Sequence, residues 1–240
     1  MYIFNNLDLM KKKINFNQKC LEQNKLLVKK KLVMHSFGNV SLRIDDNYFV
    51  IKPSGVDLQR TNNSEFPIIN INTGKVVKGK LKPSSDTPTH LEIYKKFLKI
   101  KSISHTHSLY ATAWAQSGKA IPLIGTTHAD YWQDDIPLVK FISKKNLNKN
   151  YEQYTGKLII DKLRKLRIDA YSCPGVIVSG HGPFTWGVNE NSAVLNSEIL
   201  EFIAKTAYLS NQIKVKSILP KYISKKHFER KHGKKAYYGQ

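Results

Sequence analysis

Phe37-Gly38-Asn39-Val40-Ser41-Leu42-Arg43-Ile44, the turn Asp45-Asp46-Asn47 and then Tyr48-Phe49-Val50-Ile51 make up the stretch that decides the fold. Two short apolar-rich runs around a turn of Asp and Asn predict a β-hairpin. A second hairpin is expected across Ile68-Ile69-Asn70-Ile71, Asn72-Thr73-Gly74 and Lys75-Val76-Val77. Neighbouring strands joined by tight turns argue for an antiparallel sheet rather than repeated βαβ units. Further on, Lys101-Ser102-Ile103-Ser104-His105-Thr106-His107-Ser108 reads as another strand. Its period of two puts Ile103, His105 and His107 on one face and Ser104 and Thr106 on the other.

Helical spacing fills the gaps between strands. Leu7, Met10, Ile14, Leu21 and Val28 predict one long or broken amphipathic helix before the first hairpin. Lys82-Pro83-Ser84-Ser85-Asp86-Thr87-Pro88-Thr89 reads as a helix start, with Asp86 or Thr87 as N-cap and Leu91, Tyr94 and Leu98 facing inward. Helices are also expected over 109–116, ended by Gly118, over 158–167 and over 189–210. Pro174-Gly175-Val176-Ile177-Val178-Ser179 reads as a buried strand that empties into Gly180-His181-Gly182-Pro183.

The chain has 240 residues and 41% hydrophobic content, within reach of a single α/β domain with one core. Its first residues place Lys11-Lys12-Lys13 after a very short apolar patch, the reverse of a secretory signal. Cys20 and Cys173 are far apart, with no Cys-x-x-Cys spacing, so neither a disulfide framework nor a thiolate zinc site is indicated. A reduced cytoplasmic setting is expected. The net charge of +21 is scattered over nearly every segment, with no nucleic-acid-binding motif beside it. That distribution argues against a nucleic-acid-binding module, and a positive field of this size draws in anionic substrates.

Two imidazoles one residue apart on a strand sit roughly 6–7 Å apart at Cα, close enough to share a metal ion. His181, flanked by glycines at a strand end, is sterically open to join them. Three neutral imidazoles with a vacancy suit a catalytic divalent ion. By residue type alone His128 or His90 could replace one of the three. Lys52-Pro53-Ser54-Gly55-Val56-Asp57 and the 82–89 loop combine a cation, small hydroxyls and turn formers, which suits an anion held by backbone N–H groups.

These blocks, with Gly125-Thr126-Thr127-His128-Ala129-Asp130-Tyr131 and the tail Lys231-His232-Gly233 through Ala236-Tyr237-Tyr238-Gly239-Gln240, resemble in order and spacing the epimerase branch of the class II aldolase/epimerase family. The resemblance runs from about Asn39 to the C-terminus, so 1–31 reads as an N-terminal helical segment. It implies a single α/β domain with a central, mostly antiparallel sheet flanked by helices, a homotetramer and sites between neighbouring subunits. The implied zinc ligands, open to manganese or cobalt, are His105, His107 and His181, with Asp86 as a further or nearby ligand. Gly38, Asn39, Ser54, Gly55, Ser84 and Ser85 would hold the phosphate and adjoining groups of a sugar phosphate, helped by the charge of Lys52. Asp130 and Tyr238 would be the acid/base pair, Tyr238 arriving from the next subunit, leaving His90 and His128 structural.

The implied reaction inverts C4 of a 2-ketose phosphate by retro-aldol cleavage of C3–C4, rotation of the aldehyde and re-addition. An aldolase of the L-fuculose-phosphate type is the alternative. It favours Glu where Asp86 stands and lacks the Ala-Tyr-Tyr-Gly-Gln tail. Phe37 stands where the family has Trp, and the Lys- and Asn-rich segment 132–154 diverges, keeping only Tyr151-Glu152 near its end, with Thr155-Gly156 just beyond.

Overall fold

The computed structural model describes residues 4–58, 60–61, 65–147, 150–213 and 219–238. Helix α1 (Phe4–Lys29) leads into the hairpin of β1 (Asn39–Arg43) and β2 (Tyr48–Ile51), and β3 (Ile68–Asn70) with β4 (Val76–Lys78) forms the second hairpin. Then follow α2 (Thr87–Lys96), β5 (Ser102–His105), α3 (Leu109–Ser117), the single turn α4 (Thr126–Ala129), β6 (Leu138–Val139) and α5 (Lys144–Leu147). The described chain closes with α6 (Tyr151–Leu166), β7 (Gly175–Val178), β8 (Gly182–Gly187), α7 (Ser192–Gln212) and α8 (Lys221–His232).

All eight described strands join one sheet in the order β4-β3-β2-β1-β5-β8-β7-β6. Only β6 and β7 run parallel, and their connection carries α5 and α6, as a parallel crossover requires. This is the single α/β domain expected, with a mostly antiparallel sheet between helices. Asn39 pairs with His105, which pairs in turn with Phe184. That row crosses β1, β5 and β8 near the middle of the sheet.

Alternation sorts the side chains. Ser41 Oγ meets His90 Nδ1 at 2.7 Å and Tyr94 Oη at 2.9 Å on the α2 side. Val40 and Leu42 pack on the other side with Cys20, Leu21 and Leu27 of α1. Asn24 fixes that contact, its Nδ2 donating to Val40 O at 3.2 Å while its Oδ1 accepts from Val40 N at 2.8 Å. Ser104 joins a buried hydroxyl chain with Ser197 of α7 and Thr185 of β8. Hydroxyls in a core are tolerated because each finds a partner.

Three local expectations change. The β5 ladder stops at His105, so His107 lies beyond it in extended backbone ahead of α3. Leu98 is 65% exposed, because α2 ends at Lys96 and Phe97 turns extended. Helix α6 begins at Tyr151, where the Asn150 side chain accepts from Gln153 N, rather than at 158. Gly239 and Gln240 of the tail lie outside the described residues.

Candidate active site

A cavity of about 330 Å³ opens where the hairpin β1–β2, the end of β5 and the β7–β8 turn meet. His105 closes β5, His107 follows it, and His181 sits in the turn after Gly180. One ligand nitrogen from each of the three lies within 4.8 Å of the others. His105 Nδ1 donates to Pro183 O at 3.0 Å, which leaves its Nε2 as the lone pair, 3.0 Å from His107 Nε2. Phe184 stacks under His105 with ring centroids 4.1 Å apart. Burial pushes the His105 imidazole down to about 3, and burial also lowers His107 and His181. The three therefore face each other as neutral bases at neutral pH.

The donor set fits a divalent ion. Nitrogens held at roughly 2.0–2.1 Å from one zinc stand a few Å apart, as these do. His181 Nδ1 is also buried without a hydrogen-bond partner. Asp86 faces the same space, its Oδ2 accepting from Asn39 Nδ2 at 2.7 Å. Burial alone would raise the Asp86 carboxyl; the charge that the His105 and His90 imidazoles take on in acid, with the Asn39 amide, holds it below its ordinary value. Asp86 is the N-cap residue of α2, yet its side chain makes no cap bond. It is turned to the cavity instead.

The two hydroxyl-rich loops are zipped together at the rim. Ser54 N donates to Lys82 O at 2.9 Å and Ser84 N to Lys52 O at 3.0 Å, around a bridge between Pro53 and Pro83. Ser54, Gly55, Ser84 and Ser85 all line the cavity. Gly55, at φ +64, supplies the left-handed turn that a side chain disfavours. Lys52 is 4% exposed, and its Nζ donates to the carbonyls of Ser36 and Pro53. Its burial lowers the ammonium pKa, partly offset by Asp86. A buried cation partnered by carbonyls favours an arriving anion.

Gly38 governs how closely the first loop approaches. At φ +76, a Cβ there would meet Val33 Cγ1 at 2.5 Å and the His105 carbonyl at 2.8 Å. Gly38→Ala is therefore expected to cost about 1–3 kcal/mol, a fall of several degrees in Tm, and to loosen the triad. Thermal unfolding checks this; an unchanged Tm would mean that the loop yields freely.

The cavity has further walls. Tyr151 and Glu152, at the start of α6, line it, and the Tyr151 ring lies 6.2 Å from that of His181. Thr89 Oγ1 of α2 donates to Glu152 O at 2.6 Å, which places that turn of α6. Sequence reasoning set aside the segment around them as divergent; the Asn150 N-cap was the signal available. Ser36 and Phe37 complete the wall, Phe37 stacking 6.0 Å from His107.

The model of the Class II Aldolase and Adducin N-terminal domain family matches residues 18–208. The chain belongs to this family.

Solved structures with the same fold include an L-fuculose 1-phosphate aldolase, at TM-score 0.76 and 24% identity, covering 90% of this chain and 95% of that one. The L-fuculose 1-phosphate aldolase from Glaciozyma antarctica PI12 gives 0.73 at 17% identity, over 92% and 83%. A sugar-phosphate aldolase from Thermotoga maritima gives 0.65 at 19%, over 89% and 99%. At these identities the likeness is one of fold. The family match opens inside α1, ahead of the start near Asn39 read from the motifs, and closes before α8.

Within this class II aldolase domain, the remaining candidates stand elsewhere. His90 is buried between α2 and the sheet on Ser41, and His128 Nε2 donates to Asp134 O at 3.1 Å. Burial pushes each down to about 4, and neither joins the triad. Asp130 and Tyr238 do not line the histidine cavity of their own chain. Asp130, just after α4, accepts from Arg230 Nε at 3.1 Å, Arg230 Nη2 at 3.0 Å and His227 Nδ1 at 3.0 Å. His232 Nε2 donates to its carbonyl at 2.8 Å. The Arg230 guanidinium in turn lies 4.1 Å over the Tyr238 ring. Sequence reasoning missed His227 and Arg230 and gave His232 no role; only the i, i+3 spacing of His227 and Arg230 on α8 pointed to a shared partner.

Proposed function

We propose that the chain is an L-ribulose-5-phosphate 4-epimerase, forming D-xylulose 5-phosphate. What carries the reading is the convergence in one cavity of three neutral imidazoles, Asp86, a buried Lys52 and the two zipped Ser/Gly loops. The C4 hydroxyl of this ketose is β to its C2 carbonyl, so C3–C4 can break once the C4 hydroxyl loses its proton. His105, His107 and His181 would hold a divalent ion, which would supply Lewis acidity for the negative charge left on the three-carbon fragment. Ser54, Gly55, Ser84, Ser85 and Lys52 grip the phosphate of the released glycolaldehyde phosphate, so that it turns over without escaping.

Asp130 and Tyr238 are the proposed proton carriers, one for each face of C4. Their common anchorage on Arg230 supports their acting as a unit. In this reading both reach the histidine cavity of a neighbouring copy within a homotetramer, Asp130 travelling with Tyr238. Gly38 and Asn39 shape the floor, and Asn39 orients Asp86. The net charge of +21 gathers the anionic substrate.

The aldolase reading is the second one, favoured by the fold shared with proteins named L-fuculose 1-phosphate aldolase. Against it stand Asp86 in place of Glu and the Tyr-bearing tail. Purified, zinc-loaded protein is expected to convert L-ribulose 5-phosphate to D-xylulose 5-phosphate, followed by a coupled assay. Cleavage of L-fuculose 1-phosphate to dihydroxyacetone phosphate, with the pentose phosphate untouched, would transfer the assignment to the aldolase.

A further inference from the structure

The three imidazoles are not held in the same way. His105 is fixed by the strand ladder on both sides and by Pro183 O. His107 lies past the ladder, and His181 lies in the turn between β7 and β8, its N donating to Val178 O at 3.0 Å. What links these two is α3. Its N-terminus follows His107 after one residue, and at its far end Ala115 O accepts from Gly180 N, the residue before His181, at 3.0 Å. Ser108, the N-cap residue, makes no side-chain cap bond, so the first N–H groups of α3 need another acceptor. Glu201, on α7, supplies it, Oε1 accepting from Tyr110 N and Oε2 from Ala111 N, both at 2.9 Å. One turn on, Trp114 Nε1 donates to Ala204 O at 3.0 Å.

We infer that Glu201 is a positioning residue for the candidate metal centre. By capping α3 from the neighbouring α7, it sets where His107 and His181 stand relative to His105. The carboxylate has two reasons to stay. It takes two otherwise orphaned N–H groups, and its charge faces the positive end of α3. A shift of α3 relative to α7 moves both of the later imidazoles while leaving the first in place, which changes the shape of the ligand set. This rests on the metal reading of the triad and is independent of which sugar phosphate is turned over.

Cobalt(II) titration of the full chain tests it, since the visible bands of the ion report its coordination geometry. Glu201→Gln and Glu201→Ala are expected to bind cobalt about 10-fold more weakly or worse, with shifted bands. Asp45→Ala is the control, because Asp45 Oδ1 also accepts two N–H groups, from Asn47 and Tyr48, at the hairpin turn between β1 and β2. It is expected to lower Tm while leaving cobalt affinity and spectrum unchanged. Glu201 variants that lose Tm but keep wild-type cobalt affinity and bands would reduce Glu201 to an ordinary cap and overturn the inference. Should Glu201→Ala fail to fold, Glu201→Gln decides alone. A wild-type chain that binds no cobalt would instead remove the metal reading beneath it.

Discussion

His105→Ala is expected to abolish stoichiometric zinc binding and to lower turnover of L-ribulose 5-phosphate by about three orders of magnitude or more. The ring is central in two senses. It is the imidazole whose Nδ1 is committed to Pro183 O, so its Nε2 is presented as a lone pair without a choice of tautomer. Its nitrogen also lies 3.0 Å from that of His107, so its loss leaves only His107 and His181 of the three ligands. Lewis-acid stabilisation is worth several kcal/mol, and each 1.36 kcal/mol is tenfold in rate. Elemental analysis of the dialysed variant, with steady-state kinetics, checks both halves. Treating wild type with a chelator is expected to give the same loss, reversed by added zinc. Retention of full activity by metal-free protein would sink the metal-assisted reading.

Tyr238→Phe and Asp130→Asn are each expected to cost about 10²–10⁴-fold in kcat with zinc still bound, the usual worth of a positioned acid or base. The more telling result concerns mixtures. Within one chain Asp130 and Tyr238 gather around Arg230 and do not line the histidine cavity. If a neighbouring copy receives them, His107→Ala chains and Tyr238→Phe chains are each inactive alone and active together. Random assembly at equal amounts then restores roughly a quarter of the wild-type rate, since each symmetric interface joins one triad to one neighbour's tyrosine. Separately purified variants, mixed under denaturant and refolded together, provide the measurement. Mixtures as inert as their parents would place the proton carriers in the same chain as the triad, and a fully active Tyr238→Phe parent would put Tyr238 outside the mechanism.

The hairpins, the strand ending in His105 and the pair His105 and His107 were legible because each is written locally, whereas the choice of His181 over His128 or His90 came from the family resemblance. Alternation with a period of two names a half-buried strand, and glycines beside His181 mark an open turn. The early start of α6 was obscured because Tyr151 to Lys157 carries no aliphatic residue to show a period and includes Gly156, although Asn150 is a good N-cap. That one shift is what brings Tyr151 and Glu152 to the cavity. His90 illustrates the opposite limit. As a residue type it was as good a ligand as the others, and only the register of α2 against β1 turns its ring to Ser41.

Taken alone, the sequence determined the antiparallel character of the sheet, the ligand types and the loops able to face an anion, because these depend on residues within a few positions of one another. The tertiary structure alone decided which of them meet. Asn39 reaches Asp86, Glu201 caps α3 and Arg230 holds Asp130 across separations in the chain that no local pattern spans. Such contacts follow from strand order and helix docking, which are set by burying the whole apolar surface at once.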